Sequence, residues 1–278
     1  MFPTEVLPTA RGARAALAAR PRAPALLCLH GAAGGAWMWA EGFAARCAAA
    51  GFLAAALDLR ARRADRAEST LADYADDVRA ALAALGRLVV LVGHSLGGLI
   101  AQRLLAEQAV RGAALLAPVP PEGLWWTSWR MALADPLLWL VAARMDAAAE
   151  GGPVTFLELA ALRLAMFDAA LPEATALRHL RRLGAESRAV QIEAHWPQPV
   201  PSALLCATPV LVIGRAGDRL VPPDAVLRAA AFHGAVPVLL DGTGHAMMLD
   251  IDWPAIADRV VGFAATITLA AHEEVSAP

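Results

Sequence analysis

LVGHSLGGLI, residues 91–100, sets a histidine and a serine between glycines directly behind an apolar run. A buried strand can end in a glycine turn for packing alone, so the surroundings decide what the stretch means. RLVVLV (87–92) before it reads as a strand, and the segment from Leu96 to about Gln108 after it has helical period. Gly93-His94-Ser95-Leu96-Gly97 therefore lies on a strand-to-helix turn, the context of the G-x-S-x-G nucleophile elbow. A serine on so tight a turn has strained backbone angles, and the positions two before and two after it must be small, as Gly93 and Gly97 are. The following helix turns its unpaired N–H groups and positive dipole end toward whatever Ser95 attacks, which makes Leu96 N–H a candidate oxyanion donor.

Outward from this turn, strand-length apolar runs alternate with helical segments, the pattern of a mostly parallel α/β sheet with helices on both faces. ALLCLH (25–30) is the first clear strand, followed by the turn GAAGG and a helix near 36–50 closed by Gly51. FLAAALD (52–58) is the second strand. A helix then spans about Leu71–Leu85, with Thr70 or Ser69 as its cap and Gly86 at its end. GAALLAP (112–118) is the fourth strand, and there the alternation stops. Residues 119–205 are helical in pattern and rich in Pro and Trp; TPVLVIG (208–214) and VPVLLD (236–241) then restore the strand signal, before a last helix from about Trp253 to Leu269. The chain thus reads as a core domain, 1–118 with 206–278, interrupted by a helical cap at 119–205. An insertion there sits where the carboxyl ends of the strands open, the place where such sheets bind ligands.

A serine hydroxyl is a weak nucleophile at neutral pH and needs a base, itself oriented by an acid. VLVIGRAGDRLVPP places Asp218 on the loop leaving one strand, and VPVLLDGTGHAMMLD places His245 on the loop leaving the next. The order Ser95, Asp218, His245 is that of sheet-borne triads. Asp241 competes with Asp218, but four residues before His245 it serves more easily as a turn former. The second oxyanion donor is sought on the loop after the first strand, where LHGAAGG offers Ala32 N–H, with His30 supporting the loop; His94 points away from the reacting centre and reads as structural.

Composition narrows the remaining classes. Apolar residues make up 58% of 278, dominated by Ala, and the net charge is −2 with both signs dispersed, so no nucleic-acid partner is expected. All 24 basic residues are Arg, which removes a Walker-type phosphate loop, a Schiff-base lysine and a Ser-Lys dyad. Cys28, Cys47 and Cys206 have no disulfide or zinc spacing. No metal or cofactor is expected: GAAGG is not a full G-x-G-x-x-G, and no His or carboxylate cluster stands out. WRMALADPLLWLVAARMDAAA is interrupted by Asp135 and Pro136, so no integral membrane span is read. The first residues carry no stretch of signal-peptide length, and a cytoplasmic location is the default expectation.

The elbow, the HG loop, the Asp218 and His245 loops and the cap-like insertion resemble the α/β-hydrolase superfamily over nearly the whole chain. HGAAGGAWMW, LDL, GHSLGG and GHAMML are similar to its methylesterase and hydroxynitrile-lyase branch and to related bacterial esterases. Hydroxynitrile lyases of that branch have Thr after the first loop histidine and Lys after the catalytic histidine; here Gly31 and Ala246 stand there, which argues against cyanohydrin cleavage. The loop after Asp58 also lacks the Gly-His-Gly-like turn of many members. The resemblance implies a serine hydrolase that cleaves an ester-type bond of a small hydrophobic substrate through an acyl-enzyme. Thioesterase, carbon–carbon hydrolase and cofactor-free perhydrolase chemistry use the same triad, and a non-catalytic binder or a lipid-surface lipase are further alternatives. Trp125, Trp126, Trp129 and Trp139 of the cap, and Met247 beside His245, are candidate substrate contacts. Oligomeric state is not readable from the sequence.

Overall fold

A strand buried on both faces needs an unbroken apolar run. In the computed structural model, which describes residues 23–59, 69–149 and 155–276, such runs form a six-stranded sheet in which all neighbours are parallel. The strands are β1 (Ala25–Leu29), β2 (Ala54–Leu57), β3 (Val89–His94), β4 (Val110–Leu116), β5 (Val210–Arg215) and β6 (Pro237–Leu240). Their order is β2-β1-β3-β4-β5-β6. From β1 the chain moves outward to β2 and then returns past β1 to β3, so the order reverses between β1 and β3, the kind of point at which open sheets bind ligands. Leu29 pairs with Gly93 across it, and the loops after β1 and β3 therefore leave the sheet as neighbours.

Before β4 come α1 (Trp37–Ala40), α2 (Phe43–Ala49), α3 (Leu71–Leu85) and α4 (Leu96–Arg103). The expected helix over 36–50 is broken at Gly42, whose φ of 142° is non-helical and whose position tolerates no side chain, since a Cβ there would stand 2.7 Å from the Trp253 ring. α3 has the boundaries read from the sequence. Thr70 Oγ1 accepts from Asp73 N–H (3.2 Å), the Asp73 carboxylate accepts from Thr70 N–H (2.9 Å), and Gly86 ends the helix at φ 58°. α4 is shorter than expected, loosening into turns after Arg103, where the Leu105 carbonyl instead accepts from Thr208 Oγ1 (2.9 Å). Between β4 and β5 lie α5 (Trp125–Ala134), α6 (Pro136–Ala149), α7 (Phe156–Met166), α8 (Glu173–Leu180), α9 (Arg188–Glu193) and α10 (Ala203–Cys206); α11 (Pro223–His233) joins β5 to β6. α12 (Trp253–Ser276) runs past the expected end at Leu269. The N-terminal stretch and the loop at 60–68, both discussed above, lie outside the described residues.

No helix among the described residues is long and apolar enough to cross a membrane. Cys28 and Cys47 are buried free thiols, and burial pushes Cys47 up to about 12. A polar link crosses the core beneath the elbow. Gln102 donates to the Gly98 and Val119 carbonyls (3.0 and 2.9 Å), and its Oε1 lies 3.0 Å from His233 Nε2, whose Nδ1 accepts from Ala203 N–H (3.2 Å). These partners fix a neutral imidazole protonated at Nε2, and burial lowers the His233 pKa to about 4. The unfolded chain, titrating near 6.5, binds a proton before the folded one does. Stability from this group is therefore full above pH 6.5 and is lost as the pH falls toward 4. Urea unfolding across that window is expected to show a steeper fall for the wild type than for His233→Asn, the slopes differing by at most about 1.4 kcal/mol per pH unit, the value for one proton.

Candidate active site

Ser95 sits at φ 51° and ψ −116°, a conformation that costs a non-glycine residue about 1–3 kcal/mol. The surroundings impose it. Ser95 N–H donates to Leu116 in β4 (3.0 Å), while its carbonyl accepts from Gly98, Leu99 and Val119 N–H (3.0, 3.2 and 3.1 Å). The turn closes only on small residues, since a Cβ at Gly93 would lie 2.5 Å from the Gly97 carbonyl oxygen and one at Gly97 2.4 Å from that of Leu29.

On the loop after β5, Asp218 is buried and its Oδ1 accepts from Leu220 and Val221 N–H (2.9 and 3.0 Å). Its Oδ2 lies 2.7 Å from Nδ1 of His245, on the loop after β6. A carboxylate held by two amides is an acceptor, so Nδ1 carries the proton and Nε2 is left with its lone pair. His94 Nε2–H donates to the His245 carbonyl (3.0 Å), and burial, reinforced by the neighbouring His245, holds His94 neutral. The His245 loop has two further anchors. His245 and Ala246 N–H donate to the carbonyls of Ala165 and Met166 at the end of α7 (3.1 and 2.9 Å), and Asp250 accepts from Asp168 N–H (2.9 Å). The buried Arg215 guanidinium closes this group, pairing with Asp252 and lying 3.5 Å from Asp250 Oδ2.

On the loop after β1, His30 accepts from Leu59 N–H (3.1 Å), Asp58 accepts from Ala36 N–H (2.7 Å), and Ala33 holds a left-handed φ of 59°. Ala32 N–H makes no hydrogen bond to the protein among the described residues. Leu96 is the first residue of α4, where an N–H has no intrahelical acceptor. Ser95, His245, Ala32 and Leu96 all line one cavity of about 380 Å³. Ser95 Oγ and His245 Nε2 share its wall without a hydrogen bond between them, a contact that in unliganded sites commonly tightens only with substrate bound.

Of the tryptophans read as substrate contacts, Trp139 lines the cavity; Trp125, Trp126 and Trp129 do not. α5 turns its 124, 127, 128 and 131 face inward, at the i, i+3, i+4, i+7 spacing, which leaves those three indoles at the surface, Trp126 stacked on Trp129 and Trp125 edge-on to Trp126. Met247 is also corrected. A tight turn, Met247 N–H to His245 carbonyl (2.8 Å), buries it in the core, and Met38, Met131 and Met166 supply the thioethers of the wall. Glu186, Gln191 and the pair Ser128 Oγ–His195 Nε2 (2.8 Å), none of them among the sequence candidates, are also on the wall. The signal for Ser128 was the helical phase of α5. Among the described residues no group of three or more His, Cys, Asp or Glu side chains is placed to hold a metal ion.

A profile of the alpha/beta hydrolase family matches residues 26–259, most of the chain and all three catalytic-type loops. The chain belongs to the alpha/beta hydrolase family. No curated protein sequence matches it. Solved structures similar to this α/β hydrolase include an esterase from Rhodococcus sp., 23% identical, covering 88% of this chain and 91% of that one at a TM-score of 0.64. A hydrolase from Oleispira antarctica is 19% identical, with 87% and 91% coverage and a TM-score of 0.66. An extracellular alpha/beta-hydrolase from a Paenibacillus species, described as sharing structural and functional homology with tobacco salicylic acid binding protein 2, is 16% identical, with 86% and 98% coverage and a TM-score of 0.64. At these identities the likeness is one of fold.

The packing of the elbow makes a stability prediction for this α/β hydrolase. Gly97→Ala, whose new methyl meets backbone that cannot rotate away, is expected to lower the unfolding free energy by about 1–3 kcal/mol or more. Gly262→Ala, on an open face of α12 with nothing within 4 Å, is expected to raise it by up to about 1 kcal/mol; denaturant titration of the two variants checks the contrast.

Proposed function

We propose that this α/β hydrolase cleaves carboxylic esters of small hydrophobic acids or alcohols through an acyl-enzyme on Ser95. One observation carries the reading: His245, held at 2.7 Å by the buried Asp218 so that Nε2 is left as a base, shares a cavity wall with a serine held in a strained elbow. In this mechanism His245 Nε2 takes the Ser95 hydroxyl proton as Oγ attacks the ester carbonyl. Asp218 stays ionised and stabilises the imidazolium. Ala32 and Leu96 N–H hold the oxyanion, and the imidazolium then gives its proton to the departing alcohol. Water, deprotonated by the same histidine, releases the acid and regenerates Ser95. The walls from Met38, Leu96, Val119, Leu124 and Trp139 favour an apolar substrate.

A fluorophosphonate probe tests the assignment by covalent labelling. The folded wild type is expected to label and to hydrolyse activated short-chain esters, and Ser95→Ala to do neither. Asp218→Asn, which leaves the imidazole with the wrong tautomer, is expected to lower kcat by about 10⁴-fold. Labelling that persists in Ser95→Ala overturns the nucleophile, and Asp218→Asn turning over at wild-type rate overturns the acid.

A further inference from the structure

We propose that Glu186 is a positioning residue for the oxyanion hole, fixing from the helical segment between β4 and β5 the loop that presents Ala32 N–H. The inference rests on the reading of Ala32 as an oxyanion donor and deepens it.

Ala33 is clamped on both sides of its α-carbon. Its N–H donates to Glu186 Oε2 (3.1 Å), and its carbonyl accepts from Gly184 N–H (2.8 Å). The clamp acts on a residue that would otherwise leave its conformation, since φ 59° is unfavourable for alanine. Release of Ala33 frees the Ala32–Ala33 peptide to turn, which removes the restraint on the Ala32 α-carbon and lets the Gly31–Ala32 peptide, the unit that carries the Ala32 N–H, swing away from the carbonyl oxygen it is to meet. An oxyanion donor works by being in place before charge develops, so a small loss of order at this loop is read directly in the barrier.

The carboxylate is itself held in place. Glu186 is buried, and its Oε1 accepts from Tyr74 O–H in α3 (2.5 Å) and from Ser187 N–H (2.8 Å). Ser187 Oγ donates to the Ser69 carbonyl just ahead of α3 (2.5 Å). The position of Glu186 is thereby referred to a core helix. Donors arrive at both carboxylate oxygens, and this chemistry requires an anion. An amide offers one oxygen and one NH₂, and whichever way it is turned, the NH₂ faces the N–H of either Ala33 or Ser187. Glutamine is therefore isosteric with Glu186 and unable to replace it.

The test uses the full-length protein with Glu186→Gln and Tyr74→Phe. Glu186→Gln is expected to lower kcat for an activated ester by 10- to 100-fold with KM within twofold, and to weaken by the same factor an alkyl boronic acid, whose tetrahedral adduct with Ser95 places an oxygen in the oxyanion position. Tyr74→Phe, which removes one donor to the same carboxylate, is expected to give a smaller fall with the same kcat-against-KM split. Hydrogen exchange is expected to rise at least tenfold in a peptide spanning Gly31–Ala36 in Glu186→Gln and to stay unchanged in one spanning Val89–His94. Unchanged kcat, or substrate and boronate affinity falling in step, overturns the proposal. So does unchanged exchange at Gly31–Ala36, whether or not the protein hydrolyses esters. A wild type that neither labels nor turns over, with the exchange difference intact, overturns the esterase reading and supports the clamp.

Discussion

The backbone of Ser95, at φ 51° and ψ −116°, is a conformation that an isolated chain avoids and that only its neighbours maintain. β4 takes its N–H, the first turn of α4 and the start of the next segment take its carbonyl, and two glycines let β1 and α4 close to van der Waals distance around it. Each of these partners belongs to a different element of the sheet layer, so the turn exists only when β1, β3, β4 and α4 are assembled. The reversal of strand order between β1 and β3 then places the HG loop beside the elbow without any special long-range device.

The rest of the site is held from outside the sheet. The loops bearing Ala33 and His245 both hydrogen-bond to the helical segment between β4 and β5, at Gly184 and Glu186 for one and at Ala165 and Met166 for the other. Arg215, the last residue of β5, reaches back under the His245 loop to Asp250 and Asp252. A buried ion pair of this kind contributes little net stability against an apolar alternative, because both charges lose their water; its effect is to fix geometry, since removing one partner strands the other. The same segment that forms most of the cavity wall thus also shapes the loops bearing Ala33 and His245.

Most of the sheet layer was legible because its signals are local. Unbroken apolar runs marked the strands, Thr70 and Gly86 marked both ends of α3, and GHSLG after such a run marked the elbow. Ser95, Asp218 and His245 each follow the carboxyl end of a strand, so parallel strands bring their loops to one rim. The cavity wall was not legible to the same degree. Trp125, Trp126 and Trp129 stand out by size, but the rotation of α5 is set by what it packs on and turns Thr127, Ser128 and Met131 inward. Glu186 carried no local mark at all: its partners Ala33 and Tyr74 lie 153 and 112 residues away, and a lone glutamate in a helical stretch reads as a solvated face. The break at Gly42 was hidden in the same way, since the Trp253 ring that fills the space of its missing Cβ comes from the far end of the chain.

The two seams between the helical segment and the loops bearing Ala33 and His245 differ in kind, and that difference governs how the segment can diverge. At Ala165 and Met166 the acceptors are main-chain carbonyls, which any side chain supplies provided the chain follows the same path. At residue 186 the acceptor is a side chain with a particular length and charge. A chimaera is therefore free to redraw the inward face of α5 and α6 wholesale at the first seam, while at the second a graft keeps the present seat of the Ala33 loop only if it inherits a single acid near the segment's far end.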